Sequence, residues 1–396
     1  MFASREWPED SYLRKTSDRT GATGLIGGDF LVVATQKHPE WEISALVRDP
    51  TKAKVIEQNF PNVRVVPGSL GNATLLETES QAADVVLSQF YSILILKCET
   101  VLTRLCSDFA NCDHLPAAEA IVRGLSRRDK IGTVIHTSGA KIIAWEMESQ
   151  PSTWGKFIPR RYNDMEGVEE LTRGPTEANP EPTGHDHILP NWAAHRDVDL
   201  AILDGFRKYP SKVRTAIVCP PTVYGPSRFP AFTTSIQIPR LLNVVLQLGQ
   251  AFTINGNENK WNKIHTQDIS ALYVLLTEAA VNEQAGELWN EKGYYFAENG
   301  DFVWGDVVKH IAKLGHQKGV LSSANPVELS NAIVNGFWRG GQMNVSSTSI
   351  GESRRAKELL GWKPVLDDFF EDLDRTIDVE AGVLGIGPKK GSTGTV

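Results

Sequence analysis

Thr20-Gly21-Ala22-Thr23-Gly24-Leu25-Ile26-Gly27-Gly28 decides the reading of this 396-residue chain. Its glycines at 21, 24 and 27 suit a loop that lays bare backbone against a pyrophosphate. Gly21 permits the tight turn, Gly24 the close approach of a dinucleotide, and Gly27 the packing of helix on sheet. The apolar run from Leu25 to Ala34 reads as a helix, so Thr23, Gly24, Leu25 and Ile26 stand at a helix N-terminus. Its unpaired N–H groups and positive dipole end favour phosphate there. A plain strand-to-helix turn can carry the same glycines, so the surroundings must decide.

Downstream, the apolar pattern alternates between strands and helices. Strands are expected at Trp41 to Val47, Val63 to Val66, Asp84 to Leu87, Ile131 to His136 and Val213 to Cys219. Helices are expected at Thr51 to Phe60, capped by Thr51, and at Asn72 to Ala83, Ala117 to Arg128 and Asn191 to Phe206. This rhythm predicts an α/β fold: a Rossmann-type doubly wound parallel sheet with ligands at the strand C-termini. Past Pro220 it breaks into Pro- and Gly-rich turns, with helices near Ile238 to Leu248 and Ile269 to Ala280, as in a smaller C-terminal substrate lobe. The expected organisation is a polar segment 1–19, a nucleotide-binding domain 20–220, a lobe with returning elements 221–382 and a tail 383–396. Pro151 to Pro190 reads as a long excursion over the site mouth.

A net charge of −7 without a dense Lys/Arg block excludes generic nucleic-acid binding, and 41% hydrophobic residues can fill a sizeable core. The expected partner is a small molecule, and the oligomeric state, a homodimer among the options, is left open by the sequence. No apolar stretch approaches the roughly 20 residues of a membrane span, and no secretion signal precedes the glycines. Cys98, Cys106, Cys112 and Cys219 lack paired spacings, which predicts a reduced, cytoplasmic setting without disulfides. His185 and His187 have no third ligand nearby, so no metal is expected.

Arg48 ends the second expected strand, where a dinucleotide fold meets the adenosine ribose. A carboxylate there favours NAD, whereas an arginine can pair with a 2′-phosphate, so Arg48 argues for NADP(H) and the neighbouring Asp49 keeps NAD open. The alternative is an exposed arginine at a strand end. The loop from Pro220 to Pro226, with Thr222 and Val223, would lie along the nicotinamide end or serve as a turn into the second lobe.

These residues resemble the extended short-chain dehydrogenase/reductase superfamily, in particular fungal-type NAD-dependent epimerase/dehydratase or NmrA-like NAD(P)-binding proteins. Thr20 to Gly24, Ala45 to Asp49, His136 to Gly139, Cys219 to Pro226 and Leu359 to Pro364 carry the likeness. It implies an oxidoreductase or epimerase/dehydratase-like protein acting on a small hydroxyl- or carbonyl-bearing metabolite, a nucleotide sugar or a specialised metabolite. It also places Ser69 and Leu70 beside the adenine. In the superfamily a Ser or Thr orients the substrate oxygen, and a Tyr-x-x-x-Lys pair exchanges the proton. Ser138, or Thr137, fills the first role, yet the chain has no Tyr-x-x-x-Lys. By helical phase Asn191 stands in the tyrosine position and His195 in the lysine position. His195 would hold a ribose or relay a proton, or be an ordinary helix histidine; Tyr162 would be the substitute acid, or a packing tyrosine. Without the pair, the rival reading is a non-catalytic NADP sensor of the NmrA type.

Two departures stand out. Leu13 to Arg19, where a buried first strand should precede the glycines, is strongly polar, and charges there are costly to bury. Gln89 to about Asp108 reads as an insertion after a strand. Intron-derived residues or a mistaken first exon would produce both. A genuine chain should show a weak first strand and a poorly packed loop at 89–108.

Overall fold

Alternating apolar strands place the chain's backbone in an eight-stranded sheet with helices on both faces. The computed structural model describes residues 22–89, 92–98, 105–107, 113–231, 234–338 and 340–387. The polar segment 1–19, Gly21 and the end of the tail lie outside them. So do the side chains of Cys98, Cys106 and Cys112.

The first described helix is α1 (Leu25–Lys37). It leads to β1 (Trp41–Val47), α2 (Pro50–Asn59), β2 (Val63–Pro67), α3 (Ala73–Ala82) and β3 (Val85–Gln89). Then come β4 (Ser92–Cys98), β5 (Leu105–Ser107), α4 (Leu115–Ser126), β6 (Gly132–Thr137) and, after the excursion containing β7 (Tyr162–Asn163), α5 (Arg196–Lys208) and β8 (Val213–Cys219). The second half holds β9 (Thr222–Tyr224), α6 (Gln237–Leu248), β10 (Phe252–Thr253), β11 (Lys260–His265), α7 (Thr266–Val281), β12 (Tyr294–Phe296), β13 (Asp301–Val303), α8 (Trp304–Gln317) and α9 (Phe369–Leu384).

The sheet order is β12-β8-β6-β3-β4-β1-β2, and β1–β2, β3–β6, β6–β8 and β8–β12 are parallel. Successive strand residues face opposite ways, so two cores form. Ile43, Val85, Ile135 and Val218 pack under α1 and α7, whereas Leu46, Val86, Val134 and Ile217 pack under α4 and α5. A third core joins α6, α8 and α9 to the small sheet β13-β11-β9.

Within the stretch expected to be a poorly packed loop, the described residues 92–98 and 105–107 are instead built into the sheet. β4 runs antiparallel between β1 and β3, pairing Ala45 with Leu94 on one side and Leu87 with Leu94 on the other. β5 pairs in parallel with the same two strands. The physical reason is that strands at the middle of a sheet must have their N–H and C=O groups paired, and Ser-Ile-Leu-Ile-Leu is a run of strand-favouring residues. An antiparallel strand thus interrupts the otherwise parallel centre.

Smaller corrections concern helix ends. Pro50 at the first position makes Asp49 the cap of α2, its carboxylate accepting from Thr51 N at 2.7 Å, so Thr51 is not the cap. α5 begins only at Arg196, because His195 is left-handed (φ 65°), and Asn191 sits in a turn donating to Pro180 O.

Candidate active site

The N-terminus of α1 and the C-terminal ends of β6 and β8 open onto one cleft of about 370 Å³. Gly24, Leu25 and Ile26 line one side of it, Ser138 and Gly139 the floor, and Pro220, Pro221 and Val223 the next wall. Gly24 is the N-cap of α1 with extended backbone (φ −89°, ψ −178°). As a glycine it offers the first turn no side-chain cap, which leaves that turn's N–H groups to an anion in the cleft. Gly28 of this helix is closely packed as well, since a Cβ there would come within 2.6 Å of the Phe229 ring. Nearby, fully buried Asp29 accepts from Arg228 N (2.7 Å), Nε (3.0 Å) and Nη2 (2.5 Å), which ties the loop after β9 to the phosphate-side helix.

Behind the floor lies a buried polar cluster. Ser138 Oγ donates to Asp199 Oδ2 at 2.8 Å, and the Tyr294 hydroxyl donates to the same oxygen at 3.2 Å. His136 Nε2 stands 3.6 Å from Asp199 Oδ1, and its Nδ1 meets Ser88 Oγ at 3.1 Å. Among the described residues neither Asp199 Oδ1 nor His136 Nε2 has a hydrogen-bond partner. Burial pushes the Asp199 carboxyl up to about 7, against the downward pull of Ser138, His195 and Arg196. It pushes the His136 imidazole down to about 3, with His195 acting the same way. Thr137 faces elsewhere, its hydroxyl 2.5 Å from that of Tyr273 on α7, so Ser138 is the hydroxyl at the cleft.

His195 also lines the cleft. Its Nδ1 is 2.6 Å from Asp113 Oδ1, whose carboxyl is held below its ordinary value by this histidine despite burial, and its ring lies against Gly139. The structure does not bring Tyr162 here. That side chain is buried beneath the excursion, where Trp145 Nε1 donates to its hydroxyl (2.8 Å) and Glu170 accepts from it (3.4 Å). Burial pushes this phenol well above its ordinary range, which is contrary to what a proton donor at neutral pH requires. His265 caps α7, its Nδ1 accepting from Gln267 N at 3.1 Å, and Asp268 in the first turn accepts from Val365 N (3.0 Å) and Leu366 N (2.9 Å).

An Acremonium protein, oxidase ucsJ, is 30% identical over 383 residues, covering 93% of this chain and 98% of that protein. The chain belongs to the family of this oxidase. No family model matches it. Solved structures share the fold at low identity. The dTDP-glucose 4,6-dehydratase DesIV of Streptomyces venezuelae, solved with NAD and DAU bound, is 16% identical with a TM-score of 0.57, covering 93% of this chain and 97% of that one. The UDP-glucose 4-epimerase of Thermotoga maritima, solved with UDP-glucose, is 13% identical with a TM-score of 0.54, covering 92% and 98%.

Arg48 is exposed immediately past β1, and Ser69 and Leu70 follow β2, the strand paired with it. Thr222 and Val223 form β9 rather than a turn, paired with Lys263 and Ile264 of β11. Thr222 Oγ1 bonds Gln237 at 2.5 Å, leaving Val223 facing the cleft. Sequence reasoning missed Asp113 and Asp199. Asp199 carried a signal, since with Arg196 and Leu203 it holds a core phase of α5. His185 packs edge-on against Trp145, and among the described residues no group of three His, Cys, Asp or Glu could hold a metal. No described helix is long and apolar enough to cross a membrane.

Proposed function

We propose that this protein is an NADP(H)-preferring oxidoreductase acting on a hydroxyl or carbonyl of a small, largely apolar metabolite. The observation that carries the reading is the convergence of the open α1 N-terminus, Ser138 and the β8–β9 wall on one cleft. The residues fit a dinucleotide: a glycine-capped helix end suits the diphosphate, and Arg48 suits a 2′-phosphate. Asp49, which could favour NAD, already spends its carboxylate on Thr51 N. A nicotinamide bound there would supply the hydride acceptor or donor. Ser138 would hold the substrate oxygen, and His195, oriented by Asp113, would stand beside the ribose.

The substrate side favours a specialised metabolite over a nucleotide sugar. Val223, Ile236, Trp261 and Trp338 are apolar lining, and among the described lining residues the cations are Lys141, paired with Glu148 (3.0 Å), and Arg240. A diphosphate would call for more positive charge. The rival reading, a non-catalytic NADP sensor, is favoured by the late start of α5, which carries no Tyr-Lys pair. Nicotinamide absorbance during incubation of NADPH with aryl aldehydes, aryl ketones and UDP-glucose tests both. Turnover of an aryl carbonyl, with NADP preference lost in Arg48→Ala, supports the enzyme; nucleotide binding without turnover of any compound supports the sensor.

A further inference from the structure

The buried cluster behind Ser138 is built around the Asp199 carboxyl. His136 meets Ser88 Oγ through Nδ1 at 3.1 Å, and its Nε2 stands 3.6 Å from Asp199 Oδ1, beyond hydrogen-bond reach. Both atoms are buried and have no hydrogen-bond partner among the described residues. A carboxylate oxygen without a hydrogen bond in a dry interior disfavours the anion and raises its demand for a proton. The other oxygen of the same carboxylate is the acceptor for Ser138 Oγ, and Ser138 lines the cleft. A hydroxyl that already donates inward keeps its lone pairs for a donor arriving from the cleft.

We infer that Asp199 is the proton acceptor behind Ser138, in place of the absent Tyr-Lys pair. This deepens the oxidoreductase reading and rests on it. In alcohol oxidation the substrate O–H bond breaks and its proton goes to Ser138 Oγ, while the Ser138 proton passes to Asp199 Oδ2. The carbinol C–H bond breaks, its electron pair leaves as hydride to the pyridine nucleotide, and a C=O bond forms. Asp199 ends as a neutral acid and Ser138 is regenerated; reduction runs the same steps backward. Ser138 is then the catalytic residue, and Asp199 is a positioning residue acting through it. The groups facing Asp199 are His136 on β6, Tyr294 on β12 with Cys219 of β8 beside it, and Arg196 and His195 at the start of its own helix, the latter paired with Asp113. Its elevated proton affinity near neutrality is consistent with this task.

Two readouts test the relay. Infrared difference spectra of the ligand-free protein, stepped from about pH 5 to about pH 9, should show a carboxylic-acid C=O band titrating near neutrality. That band should vanish in Asp199→Asn and persist in Ser138→Ala. In aryl-alcohol oxidation, wild-type kcat should rise with pH through neutrality as Asp199 loses its proton. Asp199→Asn should lower kcat about 100-fold, flatten that limb and leave KM within a few-fold. Ser138→Ala should flatten the limb too, which keeps the test decisive if Asp199→Asn fails to fold. A band that survives in Asp199→Asn, or a wild-type profile in either variant, overturns the relay alone. A wild-type protein that shows the band but reduces no pyridine nucleotide overturns the oxidoreductase reading and the relay with it.

Discussion

Asp199 and His136 should leave opposite signatures in the pH dependence of stability. In the folded chain Asp199 keeps its proton up to about 7, against 3.8 for an ordinary aspartate, and His136 stays neutral down to about 3, against 6.5. A raised carboxyl makes the folded state the stronger proton binder, so its contribution is greatest below 3.8 and is lost as pH rises toward about 7. A depressed imidazole does the reverse: its contribution is full above 6.5 and is lost as pH falls toward about 3. Between about pH 4 and about pH 6.5 each state carries one proton on this pair, and the two effects cancel. Asp199→Asn leaves only the histidine, so stability should climb relative to wild type by about 1.4 kcal/mol per pH unit. His136→Asn, whose amide can keep the Ser88 bond, leaves only the carboxyl, and stability should fall by about 1.4 kcal/mol per unit. Urea denaturation of the three proteins at about pH 4.5, 5.5 and 6.5 reads these slopes, and subtracting wild type removes every other titrating group. Slopes of the same sign in both variants, or none in either, would refute the reasoning.

Three further outcomes follow from packing. Gly28→Val places a side chain against Phe229, whose ring atom lies 2.6 Å from the Cβ position, and should destabilise by about 1–3 kcal/mol in urea while loosening the loop over the cleft. Arg228→Ala strips two side-chain donors from fully buried Asp29 and should cost about 3 kcal/mol; adding Asp29→Asn should recover part of that loss, and a fully additive double variant would argue against the pair. Tyr162→Phe should keep kcat within about twofold and lose about 1 kcal/mol of stability, because its hydroxyl serves Trp145 and Glu170 outside the cleft; a large drop in turnover would return Tyr162 to the chemistry.

Much of this architecture can be read from apolar pattern alone. β1 and β8 coincide with the runs expected at Trp41 to Val47 and Val213 to Cys219, because their ends, Ala45-Leu46-Val47 and Ala216-Ile217-Val218-Cys219, are buried on both faces and leave consecutive apolar residues. The glycine loop likewise announces its helix and the cleft beside it. Helix starts are less visible, since capping turns on single residues: Pro50 hands the α2 cap to Asp49, and left-handed His195 delays α5. β4 is hard to read from sequence for a different reason. An apolar run reads the same whether it is an insertion or a sheet strand, and only pairing partners distant in sequence decide between them. Contacts at long range were invisible for the same cause. Nothing local links Asp113 to His195, 82 residues away, or joins Ser138 to Asp199, 61 residues away.

Calorimetric titration of the folded protein with NADPH and NADH, beside Gly24→Val, addresses the central claim most directly. The account predicts saturable NADPH binding in the micromolar range, a weaker response to NADH, and at least a roughly tenfold loss of affinity when a branched side chain stands at the α1 cap. No heat with either nucleotide on folded wild-type protein, or undiminished affinity in Gly24→Val, would contradict it.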